Sequence, residues 1–411
     1  MKFFIVGIIL LAITSGFAGA QSVDSIKMGP GYGNDVYYSM SGGEIKQEPN
    51  NNWHIAFSID PRSSTILTND GTGVVLYTYP RGDIASWDTM SAAGIESWTP
   101  QYNSTEDWLI GAFDRNALGH PDYGWGLYNS ISHDVVGDSL FVIKLPDESM
   151  KKLWIHKRIA MQNTYEIQYA NLDGSMDTTV MIDLAPYSKR NFAYYSLETH
   201  TALDREPAES WDIVFTRYFD ESIPYIVTGV LSNIGIEVAE VAEADTSSSC
   251  FDSPEFSDSR SVIGDNWKSF SMITFQWSWE DSLVYVVKDT SGVNHNLFFT
   301  DFSGSSTGKF TFVNRLEDCA TGIVDVIEGN SIRAYPNPTS NQLSIEHNFQ
   351  GSSAINIQLF DMTGRVVVHH TVYPQISERL VFFNTSSLNP GMYVLRMTQN
   401  GTRADTKIIV R

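Results

Sequence analysis

The sequence predicts an all-β protein: two tandem, mainly antiparallel β modules followed by a small terminal β-sandwich. Three observations predict it. Apolar side chains recur at every second position in many short runs, bounded by Gly, Asp, Asn or Ser. No segment carries a convincing long amphipathic helix pattern, although "GIEVAEVAEA" at 235–244 reads as either a strand extension or a short helix. Landmark stretches also recur in one order along the first three quarters of the chain.

The chain opens with Lys2, an apolar run over 3–13 and the small residues Ala18, Gly19 and Ala20. This is the pattern of a cleaved export signal over 1–20, too short for a stable membrane span. No later run is long and apolar enough to span a bilayer. The 411 residues carry a net charge of −21 although only 18% are charged. Such a surface repels phosphate backbones and no Lys/Arg-rich run offsets it, so nucleic-acid binding is excluded. The two cysteines, Cys250 and Cys319, could pair in an oxidising compartment or stay as separate buried thiols.

The repeat is clearest in "EPNNNWHIAF" (48–57) and "EPAESWDIVF" (206–215). "YYSM" (37–40) and "YYSL" (194–197) precede the two copies. "DSLFVIK" (138–144) is echoed by "DSLVYVVK" (281–288), each preceded by a Trp, Trp125 or Trp267. A period of roughly 140–160 residues is that of a whole duplicated domain, which places module one at 21–178 and module two at 179–325. In the repeated stretch Trp53, Ile55 and Phe57 alternate with His54 and Ala56. That is a half-buried strand with His54, and its counterpart Asp212, facing solvent, and Glu-Pro as its polar approach.

The terminal unit, 326–411, reads as an immunoglobulin-like β-sandwich. "AYPNPTSNQLSIE" (334–346) approaches a strand through Pro336 and Pro338, and "INIQLFDMTGRVVV" is two strands joined at a turn through Gly364. This unit closely resembles the type A C-terminal sorting domain of cargo of the type IX secretion system of Bacteroidetes. The matching residues are Pro336-Asn337-Pro338, Gly364-Arg365, Pro390-Gly391 with Tyr393, and Lys407 in the terminal "KIIVR". The resemblance implies contact with the secretion machinery, passage across the outer membrane, and release or attachment to surface lipopolysaccharide.

The two modules resemble, more distantly, the HmuY-like haem-binding proteins, through "WDIVF" at Trp211, "LTNDGTG" at 67–73 and the Trp before "DSLVYVVKDTSG". That resemblance implies haem as ligand, held by axial donors such as His or Met in an apolar pocket. The family's position after a Trp-x-x-Phe-Ser segment falls on Met272 in module two and on Ser130 in module one, with His133 three residues further on. The preceding long loop of module one offers Met90 and His120. The axial candidates are therefore Met272, His133 and His120, and neither module holds a complete pair.

Enzyme signatures are absent. "GSSTG" at 304–308 fits a nucleophile-elbow pattern, but it lies between two strand-like runs and reads as a hairpin loop. No metal-ligand spacing or phosphate loop occurs. "NLDGSMD" at 171–177 lacks the length and closing Glu of a calcium loop. The expectation is a secreted or cell-surface, non-catalytic ligand-binding protein. The alternative is a surface adhesion or envelope structural protein whose modules keep the fold without a haem site.

Overall fold

The computed structural model describes residues 22–208, 210–248, 250, 251, 253–317, 332–349, 353–373, 380–399 and 402–411. The expected export signal and Cys319 lie outside the described residues; Cys250 is disulfide-bonded. Contacts divide the chain into two units, 1–317 and 318–411. As the sequence predicts, the described residues are nearly all β, with short 3-10 turns as their helices. The ambiguous "GIEVAEVAEA" stretch supplies the strand Glu237–Val241.

The first unit is a pair of β-sandwiches. In the first lobe a four-stranded sheet is ordered Thr201–Leu203, Phe192–Ser196, Ile55–Ser58 and Ile66–Thr68. It packs on a seven-stranded sheet that contains Leu140–Lys144, Met150–Ile159, Thr164–Asn171 and Thr178–Asp183. Ile55, Phe57, Trp125, Tyr165 and Ile167 fill the space between them. In the second lobe a four-stranded sheet is ordered Tyr225–Ser232, Ile213–Asp220, Asn34–Ser39 and Gly43–Pro49. It packs on the five strands Ser22–Lys27, Lys309–Leu316, Asn294–Phe302, Val284–Lys288 and Glu237–Val241. Tyr38, Phe215, Trp267, Phe299, Phe310 and Phe312 form that core.

The lobes do not follow the sequence repeat. Strands from 22–49, the start of the first copy, complete the second lobe; Thr178–Asp183 and the strands up to 203 complete the first. The two exchanges are equivalent residue by residue. Tyr194 and Tyr195 pair with Ala56 and Ile55, and Tyr37 and Tyr38 pair with Val214 and Ile213. A boundary at 178/179 therefore falls inside a strand of the first lobe and separates no cores. The physical reason is local: the strand Thr178–Asp183 hairpins directly onto Thr164–Asn171 before the chain can leave the lobe. The N-terminal strand then closes the second lobe by pairing with Lys309–Leu316.

The two "EP…W" stretches are the crossovers between lobes. One runs from the end of Gly43–Pro49 to Ile55, and the other from Leu203 to Ile213. Each is tied down in the same way. Asn69 Nδ2 donates to Trp53 O at 2.9 Å, and Asn233 Nδ2 donates to Trp211 O at 2.8 Å. Glu48-Pro49 thus ends a strand of the second lobe, and Glu206-Pro207 lies within the other crossover. Glu-Pro marks where the chain leaves one sandwich for the other and is not the polar approach to one strand.

The expectation that His54 faces solvent is corrected: it is only 2% exposed. The two four-stranded sheets face each other, so the strand Ile55–Ser58 is covered on both sides. His54 Nδ1 accepts from Leu197 N at 3.1 Å, and its counterpart Asp212 Oδ2 accepts from Met40 N at 2.7 Å. Burial lowers the imidazole pKa, which favours the neutral acceptor this bond requires.

Close approach between lobes depends on Gly71, in the 3-10 turn Asp70–Thr72. A Cβ there would lie 2.0 Å from Arg217 O on the opposing sheet. Gly71→Ala should destabilise the unit by about 1–3 kcal/mol, read as a lowered urea midpoint. An unchanged midpoint would show that the lobes do not need this contact.

Candidate functional site

The first lobe carries an open cleft of about 570 Å³. Its position follows from how the loops at 60–65 and 109–125 are pinned. Trp125 is fully buried and its Nε1 donates to Ser64 O at 3.0 Å. Thr65 Oγ1 donates to Leu109 O at 2.6 Å. Within the second loop, Asp122 accepts from Leu118 N and Gly124 N, at 3.0 and 2.7 Å. Gly124 is required where it stands: φ is +83°, and a Cβ would lie 2.8 Å from Phe113 O.

The cleft exposes the apolar side chains of Leu109 and Ile110, the ring of Tyr123, the imidazole of His120 and the guanidinium groups of Arg62 and Arg115. Arg115 also pairs with Glu221 of the second lobe. Burial raises the Asp114 carboxyl, which also lines the cleft, well above its ordinary range. Its Oδ2 accepts from Gly111 N at 2.8 Å, while Oδ1 has no hydrogen-bond partner. The arrangement offers an apolar surface, one imidazole donor and cationic groups suited to an acidic ligand tail.

His120 and His133 come together on one aromatic residue. The His120 ring lies 5.1 Å from that of Tyr128, and His133 Nδ1 is hydrogen-bonded to the Tyr128 hydroxyl at 2.5 Å. Both histidines are exposed. Met272 lies apart from them in the second lobe, in the turn between Lys268–Ser271 and Gln276–Trp279 and not within a strand; it is 73% exposed. Met90, of the long loop that also carries His120, is buried in an apolar cluster with Tyr79 and Trp87. The "GSSTG" stretch is the loop of a hairpin, and Gly304 at φ +65° leaves room for the Trp277 ring. Among the described residues, no group of three or more His, Cys, Asp or Glu is placed to hold a metal ion.

A second feature escapes sequence reasoning: a small cavity of about 60 Å³ between the facing sheets. Tyr37 and Tyr194, equivalent in the repeat, meet there, flanked edge-on by Trp211 and Trp53 at 5.1 and 4.8 Å. Arg205 bridges the crossovers: it donates to Asp35 Oδ2 at 2.7 Å, and to Pro49 O and Asn52 Oδ1. Glu206 accepts from Asn191 N at 2.7 Å and from the Tyr194 hydroxyl at 2.9 Å. Burial raises its pKa to about 7, and burial likewise raises that of Asp70 to about 6. The volume holds about two waters, so the cavity is a joint and not a ligand pocket. The only sequence signal was asymmetry between copies: Arg205 precedes Glu-Pro in one copy and Gln47 in the other.

The second unit pairs a sheet of Ile332–Tyr335, Gln342–His347 and Leu380–Asn384 with a sheet of Val366–Val372, Ile355–Phe360, Gly391–Gln399 and Thr402–Val410. Its motif residues have structural work. Asn337, between Pro336 and Pro338, donates to Lys407 O at 2.9 Å and accepts from Ile409 N at 2.8 Å, clamping the last strand. Gly364 turns at φ +80°, and Arg365 closes that turn onto Asp361. Gly391, after Pro390, pairs with Val410, and the Tyr393 hydroxyl donates to Asn389 O at 2.8 Å. Residues 333–411 match the family described as the secretion system C-terminal sorting domain.

The chain carries a sorting tail. This tail marks it as cargo of the type IX secretion system, exported to the cell surface or beyond. Among solved structures, the dimeric latent PorU of Porphyromonas gingivalis is similar at 10% identity, over 91% of this chain and 40% of that one, with a TM-score of 0.18. The BSP domain of a biofilm associated protein is similar at 12% identity, over 97% of this chain and 68% of that one, with a TM-score of 0.15. The chain therefore spans well under half the length of the PorU chain, and at these scores neither likeness informs the fold. No curated protein matches the sequence. No helix among the described residues is long and apolar enough to cross a membrane.

Proposed function

We propose that the body ahead of the sorting tail is a non-catalytic binding protein, that its ligand occupies the His120 cleft, and that this ligand is haem. The observation that carries the reading is the cleft lining: an exposed imidazole beside Leu109, Ile110 and Tyr123, with Arg62 at its edge. Its volume of about 570 Å³ lies within the range of small-ligand sites. A flat apolar ring system bearing carboxylates suits that combination, with His120 as axial donor and Arg62 facing a propionate. The resemblance of the modules to HmuY-like proteins supports the same ligand. Outside the cell the tail leaves the body released or fixed to surface lipopolysaccharide, in either case where free haem would be met.

Haemin titrated into the purified protein should give a saturable Soret shift. His120→Ala should weaken binding at least about tenfold, as loss of an axial donor does, while Met272→Ala leaves it unchanged. Absence of a shift in both oxidised and reduced samples overturns the haem reading.

A further inference from the structure

The strands Lys268–Ser271 and Gln276–Trp279 form a separate two-stranded hairpin on the second lobe, with Phe270 opposite Trp277 and Lys268 opposite Trp279. At its turn Met272 is 73%, Ile273 92% and Phe275 72% exposed. No charged residue occurs between 269 and 279. Turn formation does not call for this composition: tight turns favour Gly, Asn, Asp and Ser. Phe275 even adopts φ +54°, a region that bulky side chains disfavour. Large apolar groups are thus held in water against the local preference.

The stem beneath is firmly rooted. The Trp277 ring packs edge-on to Phe302 at 4.8 Å and sits over Gly304, where a Cβ would lie 2.5 Å from its Nε1. Lys268, buried beneath Trp267 and Trp277, donates to Thr228 O at 2.6 Å. Trp277 and Trp279 are only partly exposed, in the second and fourth residue pairs below the apolar turn.

We propose that this hairpin is an interfacial anchor whose tip, Met272 to Phe275, inserts into the surface of a lipid bilayer with neutral, zwitterionic headgroups. An aliphatic and aromatic tip above partly exposed tryptophans is the ordering that a water-to-hydrocarbon gradient selects, since indole rings favour the headgroup level. The tip is an exposed turn that carries Met272, Ile273 and Phe275 together, a surface that a fluid phase can close around. Charge decides between lipid surfaces: a chain of net charge −21 is repelled by anionic headgroups, while the tip and the strand residues 269–279 bring no charge to neutral ones. Export by the sorting tail delivers the protein to the outside of the cell envelope.

The test uses the chain from Gln21 to Arg411 and phosphatidylcholine vesicles in flotation. The unaltered protein should float with the vesicles, with a blue shift of tryptophan emission. The double variant Ile273→Ser/Phe275→Ser, which alters only exposed side chains, should lose at least about tenfold in partitioning at an unchanged melting temperature. Failure of the unaltered protein to float, or equal flotation of the variant, overturns the anchor. Lipid-free dimerisation that the variant abolishes also overturns it, and names a second copy of the chain as the occupant.

Discussion

Replacing Arg205 by Met should cost the body of the protein about 3–5 kcal/mol of unfolding free energy, the largest loss of any single side chain proposed here. Arg205 is 1% exposed, and its guanidinium holds Asp35 of one copy together with Pro49 and Asn52 of the first crossover. It also lies over the Tyr194 and Trp53 rings, at 5.5 and 5.9 Å. Met fills similar space but leaves the Asp35 carboxylate buried with only the Thr216 hydroxyl as a donor, at 2.7 Å. Burial already pushes the Asp35 pKa up with Arg205 beside it, so the uncompensated charge would be severe. The double variant Asp35→Asn/Arg205→Met should recover a substantial part of the loss, because no charge is then stranded. Urea denaturation at neutral pH measures both; a loss below about 1 kcal/mol for the single variant would remove Arg205 as the tie between crossovers.

The second large effect is a dependence on pH that opposes ordinary acid denaturation. Burial raises Glu206 to about 7 and Asp70 to about 6, each above the unfolded value of such a carboxyl. Between the unfolded and folded pKa values the folded state holds a proton that the unfolded state has released. Stability is therefore full below about pH 4.5 for Glu206 and falls as pH rises through 7. For Glu206 alone the fall is on the order of 2–4 kcal/mol, with Asp70 adding to it between about pH 4 and 6. Exposed Asp147 and half-buried Asp361 act in the opposite sense below pH 4, since hydrogen bonds from Ser149 and Thr363 hold their carboxyls low. Urea titrations from pH 5 to 8 should show declining unfolding free energy, and Glu206→Gln should flatten the decline. A flat or rising profile in the unaltered protein would mean that Glu206 is ionised at neutral pH in the folded state.

These two effects arise in a part of the molecule that local pattern did not reveal. The strands themselves were legible: "WHIAF", "FVIK" and "VYVVK" alternate or run apolar as sheet-forming segments must, and each lies in a strand or leads into one. The terminal unit was legible from spaced motifs: Gly364 and Tyr393 perform local tasks within short stretches of chain, and Asn337 stands out between two prolines although the strand it clamps lies about 70 residues away. His54 was misjudged because alternation reports one covered face, whereas a strand between two packed sandwiches has both covered. The cleft was legible only in part: His120 stands out as a lone imidazole in a polar loop, but Arg62 and Leu109 reach it through loop pinning by Trp125 and Thr65.

The sequence by itself determined that the chain is all-β, that its body is duplicated and that a sorting tail ends it, because strand periodicity, repeated landmarks and turn chemistry are written in neighbouring residues. Only the tertiary structure decided which copy completes which sandwich. Tyr37-Tyr38 and Tyr194-Tyr195 carry the same pattern, and either pair suits the same register against Ile55-Ala56 or Ile213-Val214. Connectivity breaks that tie: a short hairpin folds Thr178–Asp183 back onto the first lobe, and the N-terminal strand is left to close the second. The repeated Glu-Pro and Trp thereby mark where the chain passes between sandwiches, and the buried Arg205, Asp35 and Glu206 follow from that passage.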